Sequence, residues 1–417
     1  ASGKQVIRCF VAFALQKKLS SYSTNCTTSI CQRYNDAGMK IGFDAKRAAQ
    51  NGTGLGNYSR FVISTLAQND SEAICSLYVP NRKKTKLLDR LPRTKRICTV
   101  FPPHGFWSYF PSLWRTFGIT YRLKKDGVNL YHGLSNELPL NIKKANGIKT
   151  IVTIHDLLFL RFPQGYNAID RFIYNYKFKK ACQKADHIIA VSEFTKHEII
   201  EQYGISSKKI TVVYQGCDSS FRKKTSKTQL ADVKLKYQLP SRYILYVGSI
   251  EKRKNLMLLA QALKKLPKDT NVIAIGRRTP YADKVESYLK ATGINHQMRI
   301  LSGIPFNELP AIYQQATLFV YPSRCEGFGI PLLEALCSGV PAIGCTGSCL
   351  EEAGGPDSAY VNPDSPEELA QVISDILLDP KRQEQMACKG QLYAEQFKDE
   401  LLCRKLINVY KQVLSTT

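Results

Sequence analysis

Nowhere does the 417-residue sequence contain the ~18 consecutive apolar residues that a membrane-crossing helix requires, so no segment is expected to cross a bilayer in that form. It has no Cys-x-x-Cys pair, and Cys345 and Cys349 lack a histidine at zinc spacing, which argues against a structural metal. Its 13 cysteines are odd in number and sparse for a disulfide scaffold of this length. Cys75, Cys98, Cys182 and Cys337 lie inside apolar runs, where a reduced thiol behaves as a small hydrophobe, and this usage fits a reducing, cytoplasmic compartment. No repeat of solenoid period and no low-complexity tract is present. Acidic residues are scarce too: 34 Asp and Glu face 59 Lys and Arg, a formal net charge of +25. Such a field attracts polyanions, whether nucleic acid, anionic lipid headgroups or phosphorylated small molecules, and does not choose among them.

What is present is an ordinary globular balance, 44% apolar and 22% charged. Residues 1–38 are basic and unpatterned after Ser20, with Lys4, Arg8, Lys17, Lys18 and Arg33 against Asp36. They read as a leader outside the fold, disordered or added in expression, with a basic membrane-tethering arm as the rival. From Met39 the text changes: short β-branched runs alternate with helix-patterned stretches. The runs predict strands at 40–44, 73–79, 96–101, 128–131, 149–154, 187–191 and 210–214, then at 243–247, 271–275, 298–302, 317–321 and 340–344. Nearly all are continuously apolar, as parallel strands covered on both faces are. The fold class is therefore α/β, and the length calls for two doubly wound Rossmann-like domains facing across a cleft. A polar, Lys-rich stretch between Tyr214 and Tyr243 puts the boundary near residue 220, giving domains at 39–220 and 221–395. Leu392, Phe397, Leu401, Leu402, Leu406, Val409, Tyr410, Val413 and Leu414 predict an amphipathic helix over 391–414, within a C-terminal segment 396–417 that must bury its stripe against another element.

Doubly wound sheets bind ligands at the carboxyl ends of their strands, so the residues that end the strands matter most. After the first strand, Asn51-Gly-Thr-Gly-Leu-Gly-Asn-Tyr58 opens a helix; Gly54 and Gly56 allow close backbone approach, although the spacing is neither that of a dinucleotide fingerprint nor followed by a phosphate-loop lysine. A ligand-free turn is the competing reading. Strand 149–154 ends in His155-Asp156 and its neighbour in Tyr131-His132-Gly133, delivering two imidazoles to one sheet edge; a histidine satisfied within the core is the alternative. In the second half, Tyr246-Val-Gly-Ser-Ile-Glu-Lys-Arg-Lys-Asn255 brings Gly248, Arg253 and Lys254 to a strand end, cations suited to a diphosphate or else a solvated basic loop. Strand 317–321 runs into Pro322-Ser-Arg-Cys-Glu-Gly-Phe-Gly-Ile-Pro-Leu-Leu-Glu334. There Glu334 falls on a buried helix turn and needs a partner or a ligand, while Glu326 lies beside backbone N–H groups. A carboxylate that accepts from hydroxyls next to a phosphate nest is what a sugar nucleotide requires; the plain alternative is an acid favouring a helix N-terminus.

Together these segments resemble the retaining glycosyltransferases of family four, which have the two-domain GT-B fold. The carrying residues are Glu326 and Glu334 within Glu-Gly-Phe-Gly-Ile-Pro-Leu-Leu-Glu, Val-Gly-Ser-Ile-Glu-Lys-Arg-Lys-Asn-Leu, the Thr-Gly-Leu-Gly-Asn-Tyr loop, Thr-Ile-His-Asp, Ala-Val-Ser-Glu-Phe-Thr and Pro-Asp-Ser-Pro-Glu-Glu-Leu. The resemblance covers about residues 39–415. It implies that Glu326 contacts donor-sugar hydroxyls, Glu334 the ribose, and the amides of Phe328 and Gly329 the sugar or diphosphate. Lys254 and Arg253 would neutralise the diphosphate, Gly54, Gly56 and His132 would line the cleft, and His155 would lie near the transferred sugar. Glu352 matches a further acidic position. Relatives often carry Arg directly after the loop glycine; here that position is Ser249, and Arg253 is expected to supply the charge, as in a mannosyltransferase-like subgroup.

The resemblance thus implies a hexose transferred with retention, mannose from GDP-mannose first among donors, to a glycan or lipid-linked acceptor in polysaccharide biosynthesis. With no Asp-x-Asp in the chain, no metal or other cofactor is expected. The acceptor would meet first-domain loops around 102–125, with Trp107 and Trp114. Lys177, Lys179, Lys180 and Lys184, interleaved with Phe172, Tyr174, Tyr176 and Phe178, suit docking on an anionic membrane surface, making the enzyme cytoplasmic and peripheral; a solvated helix face with an aromatic core side is the alternative. A UDP-sugar-dependent transferase and a non-catalytic sugar-nucleotide-binding subunit are the rival functions. No recognition helix, RNA-binding strand or zinc module supports nucleic-acid binding.

Overall fold

The computed structural model describes residues 39–415. The leader read at 1–38 lies outside the described residues. Among the described residues, thirteen strands alternate with helices. In the first half, β1 (Lys40–Asp44), β2 (Ile74–Tyr78), β3 (Ile97–Val100), β4 (Leu130–Gly133), β5 (Lys149–Ile154), β6 (His187–Ala190) and β7 (Ile210–Val212) form one parallel sheet in the order β3-β2-β1-β4-β5-β6-β7. In the second, β8 (Ile244–Val247), β9 (Val272–Ile275), β10 (Met298–Leu301), β11 (Leu318–Val320), β12 (Ala342–Cys345) and β13 (Ala359–Val361) form another, β10-β9-β8-β11-β12-β13. The central strands are buried on both faces, as in β5, where Thr150 to Ile154 are all buried, while the edge strands β3, β7 and β10 are mostly half-exposed. In each sheet the winding reverses beside the first strand, at β1/β4 and at β8/β11, and the crevice of a doubly wound sheet opens there.

The helices that frame the crevices are α1 (Gly54–Asn69), α2 (Ala168–Lys184), α3 (Glu193–Tyr203), α4 (Leu256–Leu263), α5 (Ile330–Cys337) and α6 (Asp399–Ser415). Their ends follow from local chemistry. Asn167 and Ser192 cap α2 and α3 by accepting from the N–H groups of Asp170 and Thr195, and α3 stops at Gly204, whose φ of 65° suits a residue without Cβ.

Two features differ from the sequence expectation. Strand β13 has only three residues, of which two are half-exposed, and so lacks an apolar run to betray it. The helix expected over 391–414 is two: one over Pro380–Ala394, a tight turn at Glu395–Phe397, then α6. Phe397 is buried in the turn and keeps the apolar period apparently unbroken, whereas Leu392 (68% exposed) and Leu401 (38%) face out. The stripe of α6 finds its partner across the molecule: Leu406, Val409, Tyr410 and Val413 join Ile41, Phe43, Ile63 and Leu130 in the core of the first domain. Conversely, Cys217 and Phe221 belong to the core of the second.

Candidate active site

The site forms at the β8/β11 switch point and is closed by the end of β5. Beyond β8 the chain turns at Gly248 and runs to Lys254. A Cβ at Gly248 would stand 3.2 Å from Lys254 Cδ and 3.3 Å from the Tyr321 ring, so glycine leaves the space into which Lys254 folds back. Lys254 Nζ donates to Tyr321 Oη at 2.9 Å and lies 3.8 Å from Glu326 Oε1. Asn255 follows in the left-handed region (φ 58°), which swings the chain into α4.

The carboxylate of Glu326 is the hub. Its Oε1 accepts from Tyr321 Oη and Ser323 Oγ, both at 2.8 Å, and meets Arg253 Nη1 at 2.9 Å. Burial alone would raise its pKa, but Lys254 and Arg253, with the Tyr321 and Ser323 hydroxyls, together outweigh burial and hold it below the usual carboxylate value. Arg253 is also committed to Glu251 Oε1 at 2.7 Å and to the carbonyl of Cys325. Two cations and two carboxylates therefore share a nearly dehydrated corner, with the side chains of Arg253, Lys254 and Glu326 only 14–18% exposed.

Gly329, at φ 111°, starts α5; its backbone can adopt that angle without strain, and a side chain would collide with Leu350 Cδ2 at 2.8 Å. Phe328 places its ring between Tyr214 and Phe397, each 5.4 Å away, so its side chain anchors the loop. Glu334, one turn into α5, is buried and accepts from Tyr313 Oη at 2.9 Å. Burial pushes its carboxyl up to about 7, the tyrosine hydrogen bond only partly opposing it.

The first domain meets this loop directly. Ser192 Oγ donates to the Gly327 carbonyl at 2.7 Å, and Glu352 accepts from the N–H groups of Glu193 (2.7 Å) and Phe194 (2.8 Å), capping α3 from the second domain. His155 sits at the junction. Its Nε2–H donates to the Leu134 carbonyl at 2.9 Å, which leaves Nδ1 as acceptor for the Gln215 amide at 3.0 Å; burial lowers its pKa to about 4, so the ring is neutral. Asp156 stands beside Gly327, its pKa raised by burial and moderated by Arg253.

Of the residues singled out from sequence, Gly248, Arg253, Lys254, Glu326, Phe328, Gly329, Glu334 and His155 come together around this corner. His132 does not line the cleft: it is fully buried, hydrogen-bonded to Tyr410 Oη (2.7 Å) and Thr153 Oγ1 (2.8 Å), because it lies within β4 and α6 covers it with Tyr410. Gly54 faces open space, whereas Gly56 is required because a Cβ there would stand 1.8 Å from the Asn51 carbonyl oxygen, a packing constraint within the turn. Trp114, expected in an acceptor loop, is a core residue 1% exposed, against Tyr78. Tyr321, Ser323, Asp156 and Gln215 were not singled out. Tyr321 closes a predicted strand and is within reach of the strand-end rule; Gln215, in the linker, carries no sequence signal.

Against this geometry the comparisons with known proteins fall into place. Residues 54–221 match the family described as Glycosyltransferase Family 4, and residues 229–392 match Glycosyl transferases group 1. The O-antigen chain mannosyltransferase B of Escherichia coli is 31% identical over 288 residues, 68% of this chain and 74% of that protein. The serotype-specific mannosyltransferase WbdA of the same species is 29% identical over 261 residues, 60% of this chain but 32% of its own length. Among solved structures, Anabaena Alr3699/HepE in complex with UDP and glucose superposes with a TM-score of 0.70 at 18% identity, covering 90% of this chain and all of that one. The chain belongs to glycosyltransferase family 4 and has the GT-B fold: it is a glycosyltransferase. Among the described residues, no helix is long and apolar enough to cross a membrane.

Proposed function

We propose that this glycosyltransferase transfers mannose from GDP-mannose, with retention and without a divalent metal, to a glycan or lipid-linked acceptor of polysaccharide biosynthesis. The observation that carries the reading is the corner where Arg253 and Lys254 converge on Glu326 at the β8/β11 switch point. A diphosphate entering there competes with Glu326 and Glu251 for Arg253. Each exchange frees a carboxylate oxygen, and Glu326 is then placed to accept from sugar hydroxyls. Lys254, Arg253 and the amides at Gly329 stabilise charge on the departing diphosphate, each contact worth about 2.7–4 kcal/mol if it resembles an oxyanion-hole donor. Glu334 accepts from the ribose. His155, neutral and locked by Leu134 and Gln215, presents a fixed wall to the sugar. The acceptor hydroxyl attacks from the face the diphosphate leaves, with a phosphate oxygen taking its proton. The mannosyltransferase relatives support the choice of sugar.

The test is thermal stability and transfer by the full chain with GDP-, UDP- and ADP-sugars in the presence of EDTA. A ligand at 100 times its Kd adds about 2.7 kcal/mol, so a shift with GDP-mannose alone, lost in Lys254→Ala, is expected, with an α-linked product by NMR. A shift with UDP-sugars alone moves the donor to that class. Binding without transfer leaves a non-catalytic subunit, and inversion at the anomeric carbon overturns the mechanism.

Docking of the first domain on the inner face of an anionic membrane is part of the same proposal. On α2, Ile169 (73% exposed), Phe172 (75%) and Tyr176 lie open rather than packed, amid Lys177, Lys179 and Lys180. Phe106, Tyr109, Phe110 and Tyr121 add exposed rings from the neighbouring segment, to which α2 is joined through Glu137, the shared partner of Arg115 and Lys177. Exposed rings beside lysines suit an acyl boundary under anionic headgroups. Co-sedimentation with phosphatidylglycerol vesicles that fades with salt and in Phe172→Glu supports docking; binding indifferent to both refutes it.

A further inference from the structure

The linker between the sheets runs Tyr214-Gln-Gly-Cys-Asp218, and its cysteine does not stand alone. The Cys217 thiol donates to Cys337 Sγ at 3.2 Å, across 120 residues of chain. Both are buried, Cys217 7% and Cys337 4% exposed. Cys337 ends α5, three residues past Glu334 and so near the same face of the helix. The surroundings hold the two segments in place. A Cβ on Gly216 would meet the Phe397 carbonyl and Asp399 Oδ1 at 3.1 Å, and Ser338, next to Cys337, reaches the Phe221 carbonyl at 3.5 Å. A disulfide needs its sulfurs about 2.05 Å apart, so closure demands an approach of about 1.1 Å, within the reach of side-chain rotation. The Cys217 S–H bond and the nearby Arg222 guanidinium hold the Cys337 thiol below its ordinary pKa, which makes Cys337 the more readily ionised of the two.

We propose that Cys217 and Cys337 form a reversible disulfide that staples the interdomain linker to the helix bearing Glu334. The oxidant is a low-molecular-weight disulfide of the glutathione type. Cys337 thiolate attacks one of its sulfurs, forming a mixed disulfide and expelling one thiolate, which takes up a proton. Cys217 then loses its proton and attacks Cys337 Sγ; the mixed disulfide breaks and the second small thiol leaves. Two protein thiols are oxidised, one small disulfide is reduced to two thiols, and no other reactant is needed. Because both sulfurs are buried, the linker must open for the first attack. Once formed, the bond keeps the linker from flexing as the domains close, so it slows turnover. Formation of the bond does not depend on the donor reading above; its effect on turnover does.

The full chain is equilibrated with oxidised glutathione, its remaining thiols are alkylated, and it is digested without reduction. The expected result is a linked pair of peptides holding Cys217 and Cys337, removed by dithiothreitol, together with a higher unfolding midpoint that Cys217→Ser and Cys337→Ala both abolish. Mannosyl transfer should fall several-fold on oxidation, recover on reduction and stay unaffected by oxidant in either variant. If both cysteines are recovered alkylated while other thiols have reacted, the site does not exist. If the linked peptides form and turnover is unchanged, the staple is structural and its regulatory role is overturned. A protein that forms the linkage but transfers no sugar in either state counts against the donor reading, leaving the disulfide itself standing.

Discussion

Gly327 lies beneath the carbonyl of His155: a Cβ added at residue 327 would come 2.1 Å from that oxygen and 3.4 Å from the Asp156 side chain. The obstacle is backbone, which cannot rotate away. Gly327→Ala should therefore force the loop carrying Glu326 off the first domain, at a cost of about 1–3 kcal/mol and with most of the transfer activity lost. Thermal unfolding and kcat measure both, and an increase in radius of gyration by solution scattering would locate the effect at the domain junction. Unchanged values for all three would show that the contact is dispensable.

Glu352 holds the same junction from the other side by accepting the first two N–H groups of α3. Its removal in Glu352→Ala leaves those donors without their carboxylate and should cost about 1 kcal/mol, as loss of a helix cap does. Glu352→Gln, which retains one acceptor oxygen, should recover part of it. Denaturant titration of the two variants gives the comparison.

Glu334 has a folded-state pKa near 7 against an ordinary value of 4.5, the shift coming from burial. Between those values the folded protein keeps a proton that the unfolded chain has released, so stability falls as pH rises through this window. The total is on the order of 3 kcal/mol by pH 8. Glu334→Gln should remove that slope. Hydroxyl donors from a bound ribose favour the carboxylate, so donor binding near pH 7 should release a proton. Calorimetry in buffers of different ionisation enthalpy reads the release directly, and its absence would place the ribose elsewhere.

The histidines act in the opposite sense. Burial lowers His155 to about 4 and His132 to about 3, with their mutual repulsion adding to the latter. An unfolded chain binds these protons near the usual 6.5, so the folded state loses stability as pH falls from there through 4 toward 3. Histidine C2–H exchange read by mass spectrometry should give both midpoints below 5.

Much of this architecture was legible because parallel strands buried on both faces must be written as unbroken apolar runs; Lys149–Ile154 could be read to the residue. The convergence of Arg253 and Lys254 on Glu326 was legible for a related reason: a doubly wound sheet fixes where strands end, and these residues follow strand ends. What escaped depends on contacts between distant segments. Trp114 reads like a loop aromatic until Tyr78 packs against it, and His132 reads like a cleft residue until α6 covers it with Tyr410. Gln215 has no periodicity at all, and its meaning lies in Nδ1 of His155. The break at Glu395–Phe397 was hidden because a turn that buries its aromatic preserves the helical period.

Tyr410 offers a direct check on that covering helix. Its hydroxyl meets His132 Nδ1, and His132 passes the chain of hydrogen bonds through Thr153 to Tyr58, whose ring stands edge-on to His155 at 4.7 Å. Tyr410→Phe strands one imidazole nitrogen in the core and should cost about 1–3 kcal/mol in the first domain, with the unfolding midpoint as readout.

The position of α6 also bears on the order in which the molecule is made. A ribosome emits the seven strands of the first sheet, then the entire second domain, and only afterwards residues 399–415, whose Leu406, Val409, Tyr410 and Val413 complete the first core. The domain that emerges first is therefore the last to be finished, and it waits with an uncovered apolar face for the length of the second. Folding domain by domain during synthesis therefore leaves the first core short of four of its side chains until the second domain has been made. Until α6 arrives, the first half keeps that apolar face uncovered, while the second half can already be native.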